Sequence, residues 1–156
     1  MKHEALKVWR RIDGHTQETM AELLDVTPRR YRDMENAEGC YAEPGELWLR
    51  AVRALNVRWN LIELVGRLRE AHDTILQAEL GERHGWHVRA ARIVRGQTLA
   101  EFGGWIGVDK SDLCLFERGR GMKGRKIYRD EQQGFVAGAL MLAIIDVKIL
   151  LEEAGR

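Results

Sequence analysis

The chain has 156 residues, 45% hydrophobic and 31% charged, with a net charge of +1. That length holds one or two compact domains with a real core, and the near-neutral balance excludes a partner selected by whole-chain charge alone. The charge is unevenly placed: residues 1–39 carry seven basic against eight acidic side chains, and residues 87–130 carry ten against five.

Only two prolines occur, at 28 and 44, and no stretch alternates with period two for long. Spacing near 3.6 dominates, which predicts an all-α chain. A first helix is expected from about His3 to Asp13. Thr16 caps a second, Asp25 turns the chain, and Thr27 caps a third whose first residue is Pro28, where a missing N–H costs nothing. A fourth helix follows Pro44. A long fifth runs from Arg58 to about Gly81, with Leu61, Leu64, Leu68 and Ile75 along one stripe. The cluster GERHGWH at 81–87 marks a boundary, dividing the chain into units 1–80 and 86–156. A last helix is expected from Asp130 to Ala154.

After the boundary the scheme restarts at Val88. A shift of 82 residues lays Arg10 on Arg92, Gly14 on Gly96, Thr16 on Thr98, Val26 on Val108 and Glu35 on Glu117. Apolar class is kept at Leu6/Val88, Met20/Phe102, Leu24/Ile106, Tyr31/Leu113 and Met34/Phe116. One supersecondary unit is thus written twice. Thr98 with Glu101 reads as a capping box, and Asp25 and Gly107 hold the left-handed turn. Arg10 with Glu35, and Arg92 with Glu117, are placed to pair across each unit.

Both segments resemble the helix-turn-helix of the Cro and repressor (XRE-like) regulators. The first does so through Arg10, Gly14, Thr16-Gln17, Ala21, Val26, Thr27 and Glu35. The second does so through Arg92, Gly96, Thr98, Ile106-Gly107-Val108 and Glu117-Arg118-Gly119, and ALNVRWNLIE at 54–63 is similar to the family's junction of fourth and fifth helices. The resemblance implies tandem lambda-repressor-like helix-turn-helix bundles joined by a long helix. It also implies a transcriptional regulator, a repressor or an activator, that binds double-stranded DNA in a cytoplasmic, nucleoid-associated setting such as a phage, a mobile element or a toxin–antitoxin operon.

In that family the third helix enters the major groove and the second crosses the backbone. Carried over by position, Thr27, Pro28, Arg29, Arg32 and Asp33 face the groove, Arg30 reaches the backbone and Gln17 bonds a phosphate. Arginine binds guanine O6 and N7 through two parallel hydrogen bonds, which makes Arg29 and Arg32 candidate readers of G. The second copy offers Asp109, Lys110, Ser111, Cys114 and Leu115 at the same positions, with Leu99 in place of Gln17. It is followed by RGRGMKGRK, where Arg118, Arg120, Lys123 and Arg125 are expected to neutralise phosphates. The plainer readings are a solvated helix face for the arginines and a solvated loop for the basic run. A protein-binding module on the same fold (antiactivator, antitoxin or phage-encoded inhibitor) is the alternative function.

The remaining signals are bland. Cys40 and Cys114 show no CxxC spacing, so a reducing compartment is expected, with neither a disulfide framework nor a zinc site. His84 and His87 have chelating spacing but no third ligand nearby, and read as a surface turn. No signal pattern opens the chain. The apolar run from Phe135 to Leu151, broken by Asp146 and Lys148, reads as too short to span a bilayer, so no membrane partner is expected. A homodimer through the C-terminal helix is expected instead. No nucleophile elbow, phosphate-cradling loop or set-apart carboxylate pair appears, and neither an enzyme nor a cofactor is predicted.

Overall fold

The computed structural model describes the backbone of residues 2–77, 84–119 and 130–154, and the side chains of 3–75, 84–119 and 134–153. Among the described residues the chain is all-α. The helices are α1 (Lys2–Ile12), α2 (Gln17–Leu24), α3 (Pro28–Glu35), α4 (Glu46–Ala54), α5 (Val57–Gln77), α6 (Gly85–Val94), α7 (Leu99–Ile106), α8 (Lys110–Glu117) and α9 (Asp130–Ala154), with one 3-10 turn at Gly39–Tyr41. Contacts divide the chain into two compact units. One is built on residues up to Glu63 together with the helical residues from Lys148 on, the other on Leu64–Val147.

In the first unit local chemistry sets the helix ends. Thr16 adopts extended backbone and its hydroxyl accepts from the Thr19 N–H at 3.1 Å, satisfying a donor that the first turn leaves open. Asp25, at φ +54°, ends α2 in the left-handed region. Thr27 then caps α3, accepting from the Arg30 N–H at 3.2 Å, and Pro28 supplies the first helical residue. At the far end of α2, Arg50 reaches from α4 and donates to the Leu24 carbonyl at 2.6 Å, placing a cation on an open helix C-terminus. The core gathers Leu6, Trp9, Met20, Leu24, Tyr31, Met34, Trp48 and Leu61, all buried. The amphipathic spacing of α1 to α4 and the start of α5 turns these onto one centre.

The second unit repeats this plan residue for residue. Adding 82 to the bounds of α2 and α3 yields those of α7 and α8, Gln17 to Leu99 and Pro28 to Lys110. The left-handed residues Gly14, Asp25 and Ala37 return as Gly96, Gly107 and Gly119. The turn bond from the Val26 N–H to the Ala21 carbonyl, 3.0 Å, returns as Val108 to Gly103 at 2.8 Å. Thr98 accepts from the Glu101 N–H at 3.1 Å, which is the first half of the expected box. Val88, Phe102, Ile106, Leu113 and Phe116 form the core beside Val136, Leu140, Ala143 and Val147 of α9.

Two expectations are corrected. His84 was expected on a surface turn, but α6 starts at Gly85, ahead of Val88, and the His84 ring is buried at its start. The apolar C-terminal segment is not short. Gly134–Glu153 lies on one unbroken helix with a mean hydropathy of 2.2, long and apolar enough by length and composition to cross a membrane. Asp146 lies within the continuous helix, and its carboxylate pairs with Arg95 at 3.0 Å. Of the tryptophans, Trp9 and Trp48 are in the core, whereas Trp59 and Trp105 are exposed.

Candidate nucleic-acid interface

The period of α3 separates its residues cleanly. Tyr31, Met34 and Glu35 face inward, and Thr27, Pro28, Arg29, Arg30 and Arg32 are exposed. The leading turn therefore presents three cations against one carboxylate, Asp33, on an end already favoured for anions by its open N–H groups. Arg29 has no hydrogen-bond partner among the described residues. Arg30 donates through Nε to the Tyr41 hydroxyl at 3.1 Å. The Arg32 Nε lies 3.4 Å from Gln17 Oε1, a long bond.

Behind this surface the α3 helix is held by a buried carboxylate. Glu35 accepts from Arg10 Nε at 2.7 Å, Arg10 Nη2 at 2.9 Å, Gln17 Nε2 at 3.0 Å and the Tyr31 hydroxyl at 2.9 Å. Arg10 also donates through Nη1 to the His15 carbonyl at 2.7 Å, so one guanidinium ties α1 to the α1–α2 loop and to α3. Burial pushes the Glu35 carboxyl up, but hydrogen bonds from Arg10 and Gln17 and the Arg10 charge outweigh it, leaving the group below its ordinary range. Burial, joined by the Glu35 charge, drives the Tyr31 phenol upward, so it remains a donor. Such a network orients more than it stabilises, since desolvating two charges offsets most of their attraction.

Gln17, placed on a phosphate by resemblance, faces inward here: its amide donates to Glu35 and accepts from Arg32. The structure thus brings Gln17, Arg32 and Glu35 together, ties Thr27 to the Arg30 N–H as the cap of α3 and leaves the Arg29 side chain exposed.

The second unit keeps the frame and changes the face. Arg92 binds Glu117 through Nε at 2.7 Å and Nη2 at 3.1 Å, and donates to the Gln97 carbonyl at 3.0 Å. These three bonds are those of Arg10, moved by 82 positions. Leu99 and Leu113 stand where Gln17 and Tyr31 stood, so those two further donors have no counterparts. Lys110 and Ser111 are exposed, but the end they occupy is not cationic. Asp109 caps the helix through Oδ1 to the Ser111 N–H at 2.8 Å, and Asp112 is exposed beside it. Leu115 is exposed and Cys114 half-buried. Arg118 is exposed at the end of α8. Arg120, Lys123 and Arg125 lie outside the described residues.

Sequence reasoning missed two residues. Tyr31 was read as apolar, although its spacing of four from Glu35 on one helix is a hydrogen-bonding register. Tyr41, which carries Arg30, lies eleven residues away with no local signal. In the second unit His84 and His87 line an open cavity of about 220 Å³ with Arg67, Glu70, Ala71 and Thr74, and the Arg67 guanidinium stacks on Trp86 at 3.9 Å. Comparison with known proteins returns nothing: no family model, curated protein or solved structure matches this chain.

Proposed function

We propose that the chain is a sequence-specific, double-stranded DNA-binding transcriptional regulator with tandem helix-turn-helix units of the Cro and repressor type. The observation that carries this reading is the leading end of α3. It is capped by Thr27, started by Pro28, exposed over Arg29, Arg30 and Arg32, and held from behind by the Arg10–Glu35 pair. A helix presented in that way enters a major groove with its first turns on base edges. Arg29 and Arg32 read guanine. Arg30 and Gln17 meet the backbone, Gln17 by exchanging Glu35 for a phosphate oxygen. In the second unit Lys110 and Arg118, with Arg120, Lys123 and Arg125 beyond, add sequence-independent phosphate affinity.

A second reading draws on the face of α8. With Leu99, Leu115 and Cys114 in place of Gln17, Asp33 and Arg32, and Asp109 and Asp112 beside Lys110, that face is better suited to a protein than to bases. A protein-binding role as an antiactivator, antitoxin or inhibitor follows if both units serve it.

Selection of duplexes from a random library separates the two. The DNA reading expects an enriched site containing guanine. Arg29→Ala then costs about 1–3 kcal/mol on that site and relaxes preference at one base pair. A library that returns no enriched sequence, together with no binding to bulk DNA at low salt, removes the DNA reading.

A further inference from the structure

One face of α9 is left exposed by the described residues. Phe135, Met141, Leu142, Ile145 and Ile149 fall on one side of the helix at 3.6 residues per turn, and each is between 39% and 51% exposed. That spacing makes a continuous stripe rather than scattered apolar residues. Trp105, similarly exposed, extends the patch, its ring 6.3 Å from that of Phe135. The opposite side of the helix is occupied, with Val136, Leu140, Ala143 and Val147 in the core.

The stripe also contains Gly134 and Gly138, one turn apart and both exposed. A Cβ at either position would meet nothing within 4 Å among the described residues. Glycine weakens a helix interior relative to alanine, and no packing among the described residues requires it here. A facing helix would give it a use, because an absent side chain shortens the distance at which two helices pack.

We propose that this stripe is the contact surface of a homodimer, with α9 packed antiparallel against α9 of a second copy. A two-fold axis between Met141 and Leu142 sets Gly138 of one copy opposite Ile145 of the other, large against absent. Parallel pairing would stack Ile145 on itself and leave Gly138 facing a gap. The same patch is self-complementary, as an isologous contact demands. At the observed exposures the six large side chains offer roughly 600 Å² per copy. A symmetric contact then removes about 1,200 Å² from water, the lower end of the range for a stable interface. A bilayer would cover apolar surface too, but it needs the whole circumference of the helix, and 44% of this apolar window is already buried within the chain.

The inference does not rest on DNA binding, and its test reads assembly alone. Sedimentation equilibrium of the full chain across the micromolar range is expected to show a dimer. Ile145→Glu and Gly138→Leu are each expected to weaken association about tenfold or more, with far-UV circular dichroism and thermal midpoint of the dissociated chain unchanged. Gly138→Leu raises helix propensity, so it remains decisive should Ile145→Glu fail to fold. A wild-type chain that stays monomeric throughout overturns the proposal, as does a dimer that neither substitution weakens. Monomer in buffer that floats with phosphatidylcholine vesicles assigns the face to lipid and overturns it equally.

Discussion

Glu35 shows how a single side chain can organise a surface it never touches. Four donors meet its carboxylate, and replacing it by Gln leaves the buried Arg10 charge without its counter-ion. Glu35→Gln is expected to cost about 3–5 kcal/mol in urea unfolding of the first unit. The pH dependence has a definite sign. Because its folded value lies below the ordinary 4.5, the unfolded chain takes up the proton first. The stabilisation is therefore complete above that value and is lost as the pH falls through the folded one. The stability difference between wild type and Glu35→Gln should shrink over that acid window, and a constant difference would contradict the assignment. Tyr31→Phe is milder: it removes one bond to a charged group and should cost about 1.5–3 kcal/mol. The twin position already tolerates Leu113.

At the scale of the element, the two copies make a natural mutant series. The left-handed residue after α3 is Ala37 at φ +55°, whereas its twin after α8 is Gly119 at φ +66°. A Cβ in that region crowds the following carbonyl, so Ala37→Gly is expected to stabilise the first unit by about 1 kcal/mol, and Gly119→Ala to destabilise the second by a similar amount. Differential scanning calorimetry reads both. A different constraint acts at Gly85, which opens α6. A Cβ there would collide with the Phe116 carbonyl, so α6 and α8 touch backbone to backbone. Gly85→Ala should cost about 1–3 kcal/mol through forced separation of the two helices; a neutral result in thermal denaturation would mean that the junction yields. The bounds of α2, α3, α7 and α8 were legible in advance because caps, prolines and left-handed turns act within a few residues, and α9 was legible from its long apolar run. The start of α6 was not, since the glycine that opens it serves a contact with a helix more than thirty residues away.

For the whole molecule, the proposed division of labour is a reading helix in the first unit and phosphate affinity from the second. Replacing Arg120 and Lys123 together should weaken all duplexes about equally and reduce the slope of log affinity against log salt by about 2, whereas Arg29→Ala should leave that slope nearly unchanged. Anisotropy titrations over a salt series distinguish them, and a slope that answers to Arg29 alone would reassign the phosphate contacts. If α9 joins two copies, each assembly carries two α3 helices related by a two-fold axis, which predicts a palindromic site.

The repeat, the all-α class and most helix ends were written in the chain itself, because they depend on periodicity and on hydrogen bonds that close within one turn. The Arg10–Glu35 and Arg92–Glu117 pairs were legible too, once the repeat had aligned them. Only the folded chain decided that Gln17 turns inward, that the Tyr31 phenol donates to Glu35, that Tyr41 carries Arg30 and that His84 is buried. Each depends on partners or packing that only folding brings together, and a side chain with several possible partners commits only when packing leaves it one.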